Sequence, residues 1–131
     1  MGVGVLSRYG PLLPITGDTP RVTLGEGDTP LIASRHLAGE VGCDQVYLKL
    51  EGCNPTGSFK DRGSSVMVSV AREHGVTEIV EASSGTAGAS VAAYAVRAGI
   101  MQVVYPASMC ISFPLLFGLP HVAYVGIIQM R

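Results

Sequence analysis

Residues 78–105 read EIVEASSGTAGASVAAYAVRAGIMQVVY, and this stretch decides the fold class. Glu78-Ile79-Val80-Glu81-Ala82 is short and β-prone, so it reads as a strand. Ser83-Ser84-Gly85 follows as a loop of small residues, and the alanine-rich run from Thr86 to Ala98 is a strong helix former closed by Gly99. Ile100 to Tyr105 is a second apolar strand, ended by Pro106. A helix of this length returns the chain to the same edge of a sheet, so the flanking strands are expected to run parallel through a right-handed crossover.

Working toward the N-terminus, the same unit repeats. Val46-Tyr47-Leu48-Lys49-Leu50 alternates as a strand and stops at Glu51-Gly52. Ser58 followed three residues later by Asp61 signals a helix start, Val66, Met67, Val70 and Ala71 recur at helical spacing, and Gly75 closes that helix. The expected class is α/β, with a parallel sheet built from strands at 45–50, 78–82 and 100–105. Before this, Pro11, Pro14, Gly17, Pro20, Gly25, Gly27 and Pro30 break up residues 1–40, leaving short extended pieces such as Arg21–Leu24. The chain divides into an arm at 1–44, a βαβαβ core segment at 45–107 and an apolar tail at 108–131 that departs from the pattern. Ligands of such sheets sit beyond the carboxyl ends of the strands, where helices begin. Loops 51–60 and 83–88 lie at such ends.

Composition narrows the function classes. Hydrophobic residues make up 47% and charged residues 15%, so some apolar surface is expected to meet a partner, self-association included. A net charge of −1 gives no broad attraction to nucleic acid or anionic membrane. Cys43, Cys53 and Cys110 show no paired spacing, which points away from disulfides and zinc and toward a reducing cytoplasm. His36, His74 and His121 lack ligand spacing, so no metal is expected. The N-terminus carries no export or lipidation pattern. Between Arg97 and Arg131 there is no charged residue, but Pro106, Pro114 and Pro120 favour buried strand and turn over a membrane helix. Met67 and Met101 read as core filler.

The segment EGCNPTGSFKDRG, residues 51–63, carries the chemistry. It sets Lys60 at a helix start, where the positive end of the helix dipole favours the uncharged amine, and the uncharged amine is what attacks an aldehyde. For a lysine taken at random a solvated first-turn position is the ordinary outcome. Gly52, Pro55 and Gly57 crowding one connector favour a dedicated site. A phosphate-binding Walker loop fails, because Ser58-Phe59 stands where Lys-Ser or Lys-Thr is required. Ser83 and Ser84, taken alone, are ordinary helix caps.

That string resembles the cofactor-lysine motif of threonine synthase and its relatives among tryptophan-synthase-β-like (fold type II) pyridoxal 5'-phosphate enzymes. Gly27-Asp28-Thr29-Pro30-Leu31 is similar to the family's G-x-T-P-L, and Arg8-Tyr9 with Leu12-Leu13-Pro14 is similar to the threonine synthase arm. The resemblance covers residues 7 to about 107. It implies an incomplete copy of the family's three-layer parallel-sheet fold and a PLP-dependent lyase chemistry. The threonine synthase reaction converts O-phosphohomoserine and water to threonine and phosphate. Lys60 would hold the cofactor as a Schiff base and then move protons at the substrate. Asp61, placed as a capping residue after Ser58, and Arg62 would be structural.

The resemblance further implies that Ser83, Ser84, Gly85 and Ala87 hold the substrate carboxylate and that Thr86 touches the cofactor. Thr86 and Ala87 stand where the family has asparagine and threonine, which implies reduced activity unless the helix start slides by one residue and Thr86 supplies the threonine contact. The alternatives are a threonine dehydratase or cysteine synthase, and a non-catalytic remnant of a truncated or frame-shifted gene. The family's glycine-rich phosphate loop has no counterpart in this sequence.

Overall fold

The parallel unit at 78–104 forms as the alternation of strand and helix requires. The computed structural model describes residues 4–83, 85–104 and 122–125. In chain order the elements are α1 (Val5–Tyr9), β1 (Leu31–Ala33), α2 (Arg35–Val41), β2 (Tyr47–Lys49), α3 (Lys60–Glu73), β3 (Glu78–Glu81), α4 (Thr86–Ala98), β4 (Met101–Val104) and β5 (Val122–Val125). Short 3-10 turns sit at Gly10–Leu12 and Glu51–Cys53.

Strand β3 pairs in parallel with β4, Glu78 opposite Met101 and Glu81 opposite Val104. Gly99 adopts φ 70°, a left-handed conformation, and its N–H reaches the carbonyls of Ala95 and Val96 to end α4. The third strand of this sheet is β5, parallel to β3 on its other side, in the order β4-β3-β5.

The expected third parallel strand at 45–50 is therefore corrected. Its central part, β2, instead pairs antiparallel with β1 in a separate two-stranded sheet, Leu31 opposite Lys49 and Ala33 opposite Tyr47. Burial explains the difference. Strands of a parallel sheet are covered on both faces, and in β3 Ile79 and Glu81 are fully buried. All three residues of β2 are exposed, as are those of β1, so neither belongs at the centre of a covered sheet. The described residues thus form an α/β protein with two small sheets.

The core gathers Val22, Val68, Ala71, Ile79, Val91, Tyr94, Ala95, Ala98 and Ile100 between α3, α4 and the parallel sheet. Fully burying an aliphatic side chain such as Ile79 or Val68 contributes about 1.5–3 kcal/mol. Helix α3 buries a different face from the one its apolar residues suggested: Asp61, Ser64, Ser65, Val68, Ser69 and Ala71 face inward, whereas Val66, Met67 and Val70 are half-buried. Small serines allow α3 to approach the alanine-rich α4. Their hydroxyls find partners, Ser69 donating to the Ser65 carbonyl at 2.6 Å and accepting the Val22 N–H at 3.1 Å. Met67 packs against this core, but Met101 is 61% exposed and fills nothing.

The arm holds only short elements, as its prolines and glycines require, and Arg21–Leu24 forms no strand. It is attached through Glu26, whose fully buried carboxylate accepts the Val5 N–H at 3.0 Å, the Thr23 hydroxyl at 2.9 Å, the Leu24 N–H at 3.2 Å and the Tyr94 hydroxyl at 2.9 Å. Burial acts to raise the Glu26 carboxyl, but these donors outweigh it and hold the group below the ordinary glutamate range. Burial and the facing Glu26 carboxylate push the Tyr94 hydroxyl up.

Candidate active site

The lysine loop is built around an ion pair the sequence did not single out. Arg62 grips Glu51 with two parallel bonds, Nε to Oε2 at 2.7 Å and Nη2 to Oε1 at 2.8 Å. Thr29 donates to the same carboxylate at 2.8 Å and Asn54 Nδ2 at 3.0 Å, while Asn54 Oδ1 accepts the Gly27 N–H at 3.0 Å. These bonds join the Gly27–Leu31 segment to residues 51–62 as one unit. The Arg62 guanidinium, with Thr29 and then Asn54 helping, lowers the Glu51 carboxyl to about 2.

Lys60 is the first residue of α3. The expected capping box does not form. Phe59 occupies the cap position without a side-chain bond, Ser58 Oγ accepts the Lys60 N–H at 3.2 Å, and Asp61 turns back to accept the Thr56 N–H at 2.8 Å. Gly57, at φ 77°, makes the reversal that brings Thr56 over Asp61. The Lys60 amine lies 4.5 Å from the centroid of the Phe59 ring, and the residue as a whole is half-buried. Lys49, the other of the two lysines in the sequence, donates to the Thr29 carbonyl.

Asp61 also accepts the Ser90 hydroxyl at 2.6 Å, and the Ser90 and Ser64 hydroxyls are 2.8 Å apart. These bonds hold the first turn of α3 against the early turns of α4, so loops 51–60 and 83–88 emerge at the same end of the helix pair. In the second loop Ser83 is half-buried and its Oγ accepts the Gly85 N–H at 3.3 Å; Gly85 and Thr86 are exposed, and Ala87 and Gly88 are buried. Ser84 lies outside the described residues, as do Cys110 and His121. The first N–H groups of α4 have no intrahelical acceptor, which suits an anion. Gly88 is required by space: a Cβ there would stand 2.8 Å from the Ser83 carbonyl oxygen.

Below this loop Gln102 Nε2 spans Glu81 Oε2 at 3.1 Å and the Gly88 carbonyl at 3.3 Å. The Glu81 carboxyl is fully buried, its Oε1 has no hydrogen-bond partner among the described residues, and burial pushes it above the ordinary glutamate range against the pull of Gln102.

A cleft of about 350 Å³ opens elsewhere, lined by Arg8, Tyr9, Glu26, Asp28, Lys49 and Arg62 among others; neither Lys60 nor any residue of 83–88 lines it. Its charges are largely matched internally, Arg8 with Asp28 and Arg62 with Glu51. Cys43 and Cys53 are exposed free thiols, and no cluster of metal-ligating residues occurs among the described residues. No helix among the described residues is long and apolar enough to cross a membrane.

Glu51, Glu26 and Ser90 were not legible as site or scaffold residues. A serine within the apolar run of α4 is a usable signal for Ser90, because a buried hydroxyl needs a partner. Nothing in the sequence marks Glu26 beyond its two flanking glycines.

The molecule so described is an α/β protein that presents a helix-start lysine and a small-residue helix-start loop at one end of a helix pair. The family model for pyridoxal-phosphate dependent enzymes matches residues 22–112, and the chain belongs to that family. It is 50% identical over 101 residues to threonine synthase of Halalkalibacterium halodurans, covering 77% of this chain and 28% of that protein. It is 52% identical over 101 residues to threonine synthase of Mycobacterium tuberculosis H37Rv, with the same coverage. Against threonine synthase of Methanocaldococcus jannaschii it is 48% identical over 97 residues, 74% of this chain and 24% of that protein. The chain thus spans 24–28% of the length of these curated relatives. The cofactor of the family is pyridoxal phosphate. The structure fits its aldehyde end: the Lys60 amine rests on a ring with no carboxylate accepting from it among the described residues.

Proposed function

We propose that this chain carries the lysine-bearing end of a PLP-dependent lyase of the threonine synthase type, acting on O-phosphohomoserine and water to give threonine and phosphate. The observation that carries this is Lys60 at the first turn of α3, within the family match and at the end of the helix pair from which loop 83–88 emerges. When bound, the cofactor supplies an electron sink for carbanion chemistry at the amino acid. Lys60 is the residue that would hold its aldehyde end, and its amine would exchange protons at the substrate's α and β carbons. Ser83, Ser84, Gly85 and Ala87 hold the substrate carboxylate through hydroxyls and helix-start N–H groups, and Thr86 contacts the cofactor.

The finer fold assignment, the family's three-layer parallel sheet in incomplete form, belongs to the same proposal. So do the arm at 1–44, the core segment at 45–107, the tail at 108–131 and a cytoplasmic setting. The parallel strands β3 and β4 at 78–104 support the first of these.

Adding pyridoxal phosphate to the purified chain should produce a visible absorbance band that Lys60→Ala abolishes. Phosphate release from O-phosphohomoserine then tests the substrate. A band unchanged by Lys60→Ala sinks the assignment. A Lys60-dependent band without turnover favours the non-catalytic reading.

A further inference from the structure

Asp61 is fully buried, yet its carboxylate meets donors from two different elements. Thr56 supplies its N–H at 2.8 Å and also its hydroxyl from within the lysine loop. Ser90 supplies its hydroxyl at 2.6 Å from α4. A buried carboxylate is tolerated only when such donors surround it. Its place is therefore set by both elements at once, and it is the neighbour of Lys60 in the chain. On the other side of Lys60, the Ser58 hydroxyl accepts the Lys60 N–H at 3.2 Å. The backbone of the lysine is thus held from before and behind.

We propose that Asp61 and Ser90 are positioning residues that fix the Lys60 amine relative to loop 83–88. This inference rests on the assignment of Lys60 made above. The contact differs from ordinary helix packing. Farther along the helices Val68, Ala71, Val91 and Ala95 join the shared apolar core, whereas the end bearing Lys60 meets α4 through Asp61, Ser64 and Ser90. Apolar packing tolerates small slides, but hydrogen bonds to a carboxylate fix distance and direction. The two anchors also separate by origin. Both Thr56 bonds stay within the lysine loop, so removing the Ser90 hydroxyl leaves the loop's own geometry in place and cuts its tie to α4.

The sequence holds two lysines, which supplies an internal reference. The full chain is treated with pyridoxal phosphate, reduced with borohydride, and the ratio of modification at Lys60 to that at Lys49 is mapped by mass spectrometry. The wild-type chain should favour Lys60. In Ser90→Ala that ratio should fall about tenfold, the scale of one lost hydrogen bond to a charged group. Ser90→Thr, which keeps the hydroxyl, should recover most of it. Thr56→Val, at a half-buried position, should lower the ratio as well, and it decides the matter if Ser90→Ala shows no cooperative unfolding. A merely structural role would lower the unfolding midpoint in these variants and leave the ratio unchanged, and that result overturns the proposal. A wild-type ratio favouring Lys60 that survives both substitutions sinks the positioning role alone. No preference for Lys60 in the wild type sinks the lysine assignment together with it.

Discussion

Glu51 shows how much one residue can organise. Its carboxylate gathers Arg62, Thr29 and Asn54, so two sequence segments become one wall. Because its side chain is 28% exposed, Arg62→Met should cost about 1–2 kcal/mol, less than a fully buried fork would. The carboxyl is lowered to about 2. Its contribution is present above the unfolded value of about 4.3 and is lost as pH falls through the folded value. Unfolding midpoints measured between about pH 5 and 2 should therefore drop more steeply for the wild type than for Arg62→Met. Glu81 has the opposite sign. Its carboxyl is raised by burial, so its contribution is full below the unfolded value and lost as pH rises through the folded one. Thermal midpoints followed from about pH 4 to 8 should decline with pH in the wild type and stay flatter in Glu81→Gln.

At the scale of elements, α4 was legible and the inner face of α3 was not. The alanine run, the leading Gly85 and the closing Gly99 specify α4 locally, and its observed span is Thr86–Ala98. In α3 the eye follows Val66, Met67 and Val70, but α4 selects the serine-rich stripe because small side chains permit close approach. The start of α4 has its own constraint at Gly88. Gly88→Ala should push the first turn away from the Ser83 carbonyl, lowering the unfolding midpoint even though alanine is the better helix former. A raised midpoint, as helix propensity alone would give, would remove the close-approach argument.

For the whole molecule, the notable feature is apolar surface left open. Leu31, Ile32, Tyr47 and Leu48 are 40–60% exposed on the β1–β2 sheet, and Val96 is 79% exposed on α4. The sequence already hinted at this through 47% hydrophobic against 15% charged residues. A hydrophobic dye should bind the wild-type chain, and placing lysines at Leu31 and Ile32 together should reduce that binding with little change in the unfolding midpoint. Dye binding unaffected by the pair would place the open surface elsewhere.

By itself the sequence determined the α/β class, the βαβ unit at 78–104 and Lys60 at a helix start, because each rests on local periodicity, capping glycines and turn residues. Only the tertiary structure decided that β2 pairs antiparallel with β1, that β5 completes the parallel sheet, and that Asp61 joins the lysine loop to Ser90. Those outcomes depend on which surfaces become buried together, and partners 14–44 residues apart leave no local trace of one another.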